Sequence, residues 1–474
     1  MAKHDLVIIG GGTGGLIVTS VAAQLGLRVM LIERHEKLGG DCLHTGCVPS
    51  KSLIHAAKVA SLMRRGSEFG LKSVKPEVDL GRVSDHVQSV IDQIQPHDDP
   101  ERFRDYGADV VFGHASFIDP HTVEVNGETI QARRFVIASG SSPFVPPIPG
   151  LEEVPYLTNE SVFSLRQLPS RLCVLGGGAI GVEMAQAFAR LGSSVTIIER
   201  LPHILPQEDP EISDTLRKQL IQEGIEILTS TSATQVGMPD ANYHIQCKHD
   251  DKGRNLIEAD ALLVAVGRQP NVDGMGLEQA GVEYDNRGIK VDRRLRTSCR
   301  HIYACGDIAG PYPFTHMAEY QAGIVISNAV FRFPKKTDYR VVPWVTYTDP
   351  ELARVGITEQ QAAEQGIAVD VLRFPFRDID RALAEVETTC EMKLVCRKGK
   401  ILGATILGPH AGELIHEIVL AMQAGLKISQ ISATIHAYPT LAQISRRTVN
   451  TYYGEKLFSD RTRKLVSWIN RIFP

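Results

Sequence analysis

The sequence predicts an α/β protein in which one strand–turn–helix–strand unit is built twice. Three observations carry that reading. The chain has 474 residues, more than one hydrophobic core ordinarily serves, so about two to four domains are expected. At two places a short apolar run leads straight into a glycine-rich turn. Each turn opens a helix-like stretch and then a second apolar run that ends in glutamate. A buried parallel strand reads as a continuous apolar run, and two such strands need a helix between them.

In the first unit, residues 5–9 (DLVII) form the strand and GGGTGG the turn. Gly10, Gly12 and Gly15 have the G-x-G-x-x-G spacing, with Thr13 and Gly14 between them. The first glycine permits the tight turn, the second lets backbone approach a pyrophosphate, and the third lets helix and strand pack closely. The helix N-terminus then turns its free N–H groups and positive dipole end toward the phosphates. The second strand, RVMLIE, ends at Glu33, whose carboxylate can accept hydrogen bonds from a ribose. The second unit repeats every part. RLCVL leads into GGGAIG with Gly176, Gly178, Ile180 and Gly181, and SVTIIE ends at Glu199. From last glycine to glutamate is 18 residues in both copies, close to the spacing of about 20 that the motif requires. Two copies predict two dinucleotides, a flavin (FAD) and a nicotinamide. A carboxylate at Glu199 repels a 2′-phosphate, which favours NADH over NADPH, although Arg200 beside it pulls the other way.

Composition narrows the partners. Hydrophobic residues make up 43% and charged residues 22%, the ordinary soluble range. A formal net charge of -4 offers no basic field to nucleic acid. No apolar stretch reaches the length of about 20 residues needed to span a bilayer, and nothing reads as a signal peptide. The expected compartment is the cytoplasm. Six of the eight cysteines are scattered and read as small core residues. The other two, Cys42 and Cys47, lie in GGDCLHTGCVPSK with Gly40 and Lys51. In a reducing compartment such a pair is catalytic or metal-binding rather than structural. A metal site needs about four ligands, and only His44 lies inside the stretch. Pro49 marks a nearby helix N-terminus, where free N–H groups and Lys51 would favour a thiolate.

With these pieces placed, the chain resembles the class I pyridine nucleotide-disulfide oxidoreductases, the group of dihydrolipoamide dehydrogenase, glutathione reductase and mercuric reductase. GGDCLHTGCVPSK matches the family's redox-disulfide motif. IASGSSP, with Ser139 and Gly140, and LLVAVGRQPN, with Gly267, match its two chain-crossing segments. IYACGD matches its second flavin motif, and WVTYTDPELARVG opens a segment like its dimerisation domain. The resemblance implies a homodimer of two Rossmann-type dinucleotide-binding domains plus a C-terminal α+β dimerisation domain. Residues 1–149 and 270–342 would bind FAD, 150–269 NAD(P), and 343–458 would dimerise, leaving 459–474 as a basic amphipathic tail. It implies that Glu33 holds the FAD ribose, that Asp307 sits near the pyrophosphate and ribityl chain, that Gly113 and Ala115 face the adenine, and that Ala318 faces the flavin ring. Lys51 and Glu183 would pair beside flavin and nicotinamide. Cys47 would be the thiol on the flavin side and Cys42 the one that meets the acceptor.

The chain departs from the family near its other end. Disulfide-handling members carry His-Pro-Thr with a glutamate three residues after the threonine, and the partner subunit supplies the histidine as acid–base. Here the segment is HAYPTLAQ, with Tyr438 at the histidine position and Gln443 at the glutamate position. A phenol is a poor base near neutrality, its unperturbed pKa being about 10, but it can still donate a hydrogen bond, and Tyr438 is the catalytic candidate at this position. His436 lies two residues earlier and reads as a structural hydrogen-bonder. Mercuric reductases deliver metal through a C-terminal cysteine pair, and no cysteine follows Cys396. The expected activity is electron flow from NADH through FAD and Cys42–Cys47 to a small-molecule or metal-ion acceptor. The alternatives are a genuine dihydrolipoamide dehydrogenase, a soft-metal reductase, a low-turnover redox sensor and a membrane-associated quinone reductase. The tail places Leu465, Trp468, Ile469 and Ile472 at helical spacing among Arg461, Arg463, Lys464 and Arg471. Packing on its own protein or on the partner subunit is the favoured reading, with contact at a membrane surface the lesser one.

Overall fold

The computed structural model describes residues 3–249 and 253–472, so the ends of the predicted FAD segment and of the tail, and residues 250–252 of the predicted NAD(P) segment, lie outside it. Leu6–Ile9 and Val29–Glu33 pair in parallel around the helix Thr13–Gln24. Ala108–Phe112 extends this sheet on one side, and Phe135–Ile137 and Ile302–Ala304 on the other. The last strand thus returns from the far side of the second unit, so the first domain is discontinuous in sequence. Arg171–Leu175 and Ser194–Ile198 repeat the arrangement around the helix Ala179–Leu191, flanked by Glu226–Leu228 and Ala261–Val264. Every residue of the first strand is buried, as expected of a sheet covered on both faces.

The two crossing segments pair with each other. Ser141–Pro143 and Arg268–Pro270 form a short antiparallel ribbon joining the domains. The third domain is a five-stranded antiparallel sheet, Pro343–Thr346 and Glu351–Gly356 followed by Lys400–Gly408, Glu391–Arg397 and Asp370–Pro375. The helix Ala411–Gln423 packs on it through Ile415 and Ile418. Glu208, after the second nucleotide unit, and Arg354, in the third domain, are both buried and lie 3.1 Å apart. The Arg354 guanidinium covers the Trp344 ring at 4.1 Å, and Trp344 Nε1 donates to Glu208.

Asp460–Ile472 is a helix with no buried residue. This tells against packing on its own protomer and leaves the partner subunit as the other half of that expectation. Among the described residues, its apolar side chains Leu465, Val466, Trp468, Ile469 and Ile472 all stand exposed.

Candidate active site

Both glycine turns have the same internal geometry. Gly10 and Gly176 adopt φ of 111° and 107°, a region that side chains rarely enter. A Cβ on Gly15 would stand 1.9 Å from Gly10 O, and one on Gly181 2.0 Å from Gly176 O. These contacts are why the third glycine permits close packing. The glutamates repeat as well. Gly11 N–H donates to Glu33 at 2.5 Å and His35 N–H at 2.8 Å. Gly177 N–H donates to Glu199 at 2.6 Å and Leu201 N–H at 2.7 Å. Each carboxylate thus braces its own turn with both oxygens.

One continuous cleft runs between the two turns. Gly10, Gly12, Thr13, Gly14, Glu33, Gly40, Ser139, Gly140, Asp307 and Ala318 line one part of it, and Gly176, Gly178, Ile180, Glu199 and Gly267 another. Gly178 faces open space, leaving its backbone accessible from the cleft. Gly15 and Gly181 lie beneath the turns, as their contacts require. Gly113 and Ala115 open onto a small adjoining pocket shared with Gly10, Glu33 and Ser139. A cradle that a methyl group would fill, an exposed turn backbone and a buried acceptor together fit a dinucleotide in each half.

Between the halves lie Cys42, Cys47, Lys51 and Glu183. Cys47 is the first residue of the helix Cys47–Arg64, where unpaired N–H groups favour an anion. Both thiols are free. The hydrogen bond from Cys42, opposed by burial and helped by Thr315 and Lys51, brings the Cys47 thiol down to about 6. The same hydrogen bond pushes Cys42 up. The pair therefore divides into a thiolate and a thiol near neutrality. Lys51 Nζ donates to Glu183 at 3.0 Å and lies over the Tyr347 ring at 4.3 Å. The other Glu183 oxygen accepts from Tyr347 N–H at 2.8 Å. Asp307 accepts from Ser141 at 2.6 Å, and burial raises its pKa.

Thr315, Tyr347 and Arg268 were not anticipated from sequence. Thr315 Oγ1 lies 3.3 Å from Cys47 Sγ, and its position three residues before Ala318 was the available signal. Arg268 lies 3.3 Å from Asp41, beside Cys42. Tyr438 is not in this cleft. Its side chain is 69% exposed on the protomer surface, and its hydrogen bond to Asp380 moves the phenol further from ionisation. Gln443 opens the helix Gln443–Leu457 and donates to Ala437 O. His436 is engaged through both ring nitrogens, Nε2 with Glu417 at 3.0 Å and Nδ1 with Thr434 O at 3.1 Å.

Comparison with known proteins follows the same outline. Residues 4–322 match the family described as pyridine nucleotide-disulphide oxidoreductase, and residues 342–448 its dimerisation domain, which indicates a homodimer. The chain is 39% identical to a dihydrolipoyl dehydrogenase of Thermus scotoductus over 450 residues, 94% of this chain and 96% of that one. It is 37% identical to a mercuric reductase of Staphylococcus aureus over 443 residues, 93% of this chain and 81% of that one. Among solved structures it is similar to the Cu(II) complex of the HOCl-induced flavoprotein disulfide reductase RclA of Escherichia coli. That match has a TM-score of 0.85 and 30% identity, over 95% of this chain and 100% of that one. Among the described residues no helix is long and apolar enough to cross a membrane.

Proposed function

The chain belongs to the pyridine nucleotide-disulphide oxidoreductase family, and on that premise we propose that its electron acceptor is a thiophilic metal ion, Cu(II) or Hg(II), bound at Cys42–Cys47. Enzymes of this family use FAD and a pyridine nucleotide. A flavin held along residues 10–14, Glu33 and Asp307 would supply the two-electron link between a nicotinamide and the sulfur pair. The chain's own residues set up the exit. Cys47 is the more acidic sulfur, Lys51 and Glu183 fix each other beside it, and Cys42 lines the cleft next to Asp41.

The observation that carries the choice of acceptor is the replacement of the acid–base dyad by Tyr438 and Gln443. Reducing an organic disulfide needs a proton delivered to the leaving thiolate. A metal ion needs none, because the two sulfurs are themselves its ligands. For Cu(II) the step balances as dithiol plus two Cu(II) giving disulfide, two Cu(I) and two protons. The Cu(II) complex of RclA and the mercuric reductase relatives support this reading. NADH is the proposed donor, since the negative charge of Glu199 opposes a 2′-phosphate. The cytoplasm is the proposed compartment.

The test is anaerobic NADH oxidation with Cu(II), Hg(II), lipoamide, glutathione disulfide and a quinone in parallel. Turnover with a metal ion and little with lipoamide is expected. Brisk lipoamide turnover by the unaltered protein overturns the proposal.

A further inference from the structure

The helix Asp460–Ile472 stands apart from the rest of the molecule in three ways. None of its residues is buried, although it carries Leu465, Val466, Trp468, Ile469 and Ile472, each at least 40% exposed. The family's dimerisation domain ends at residue 448, before the helix begins, so the scaffold shared with the relatives does not require it. Its charge also opposes that of the body. It holds Arg461, Arg463, Lys464 and Arg471 against a single acid, Asp460, in a chain whose formal net charge is -4.

At about 100° per residue, the five apolar side chains fall in a sector roughly 160° wide. Trp468 lies near one edge and Val466 at the other. Arg463, Lys464 and Arg471 occupy the opposite side and its shoulders. Arg461 falls at the apolar edge in the first turn, where a long stem can lie flat and leave its guanidinium in water. The helix is anchored at its start by Ser459, whose Oγ accepts from Thr462 N–H at 3.3 Å. Its 13 residues extend about 20 Å, too short for a hydrocarbon core of about 30 Å. The exposed Leu457 and Phe458 continue the apolar surface toward the body.

We infer that this helix docks the enzyme on an anionic lipid membrane, lying in the interface with its apolar side in the acyl boundary. An unpartnered apolar stripe flanked by basic residues, with tryptophan at its margin, is the arrangement that such a surface accepts. A second copy of the chain would offer an acidic body to the basic side, and it is the competing occupant that the experiment separates. The attraction per basic side chain is about fivefold in partitioning, so three of them contribute on the order of a hundredfold.

The experiment is flotation of the full-length, FAD-loaded protein with vesicles of phosphatidylcholine alone or with about one-third phosphatidylglycerol. Three variants run beside it: a chain ending at Ser459, Trp468→Glu with Ile469→Glu, and Arg463→Gln with Lys464→Gln and Arg471→Gln. The full chain is expected to float with the anionic vesicles, to release at high salt, and to bind neutral vesicles on the order of a hundredfold more weakly. All three variants are expected to stay in solution and to keep their turnover with a soluble acceptor. The inference is overturned if the full chain never floats, if the shortened chain floats equally, or if retention ignores lipid charge. It is also overturned if shortening changes the oligomeric mass while vesicles capture nothing, since the stripe would then serve a protein contact.

Discussion

Replacing Thr315 with valine removes one hydroxyl from beside Cys47 and leaves the shape of the side chain almost unchanged. Thr315 Oγ1 lies 3.3 Å from the sulfur, and against a thiolate it is the hydroxyl that donates. A hydrogen bond to a charged group contributes about 1.5–3 kcal/mol. The lower end applies here, because the sulfur lines an open cleft where solvent screens the interaction. One pKa unit corresponds to about 1.36 kcal/mol, so the expected rise is about one unit, from about 6 to roughly 7. The thiolate exists above that pKa and is lost as pH falls through it. At pH 7 its share would drop from about nine-tenths to about one half. The hydrogen bond from Cys42 and the charge of Lys51 remain, which keeps the shift from growing further. The assay is iodoacetamide alkylation of the reduced protein across a pH series, with the Cys47 peptide quantified by mass spectrometry. A midpoint within about two-tenths of a unit of the parent's would refute the role given to Thr315.

Glu183→Gln keeps the bond from Tyr347 and loses the charge opposite Lys51. Removing about 1.5–3 kcal/mol of charge-assisted bonding predicts roughly 10- to 100-fold slower flavin reduction by NADH, read by stopped-flow bleaching. Tyr438→His with Gln443→Glu is expected to raise lipoamide turnover by about 10²- to 10⁴-fold, the range general acid–base catalysis supplies; no gain would show that a histidine–glutamate dyad at these positions is not what limits that reaction. Gly181→Ala places a methyl 2.0 Å from Gly176 O and is expected to raise the KM for NADH at least tenfold with FAD retained. Gly15→Ala makes the same clash in the other copy and is expected to lower the FAD content of the purified protein, measured as the ratio of flavin to protein absorbance.

Much of this architecture was open to reading because the nucleotide units are local. The turn, helix and acid that build each one lie within about 30 residues, and their spacing is set by backbone geometry. The position of Cys47 at a helix start was likewise signalled by Pro49. What could not be read were contacts between segments distant in sequence. Thr315 meets Cys47 across 268 positions and Tyr347 meets Glu183 across 164, and neither residue type advertises such a partner. The tail was legible only in part, for a related reason. Its periodicity gave the helix and its apolar side, but whether that side is covered depends on what surface the rest of the fold leaves vacant.

The knot of Glu208, Arg354 and Trp344 bears on how the molecule moves. Taking away one member of a buried ion pair costs about 3–5 kcal/mol, so the two domains it joins resist parting at that point. The second nucleotide unit is thereby moored to the third domain's sheet, and the helix Cys47–Arg64 of the first domain is tied to both, by Lys51–Glu183 at 3.0 Å and Lys58–Asp349 at 3.3 Å. The element that begins with Cys47 is therefore clamped along its length by both other domains. A shift of one domain against another would then be felt at the sulfur pair itself, through the helix that Cys47 opens.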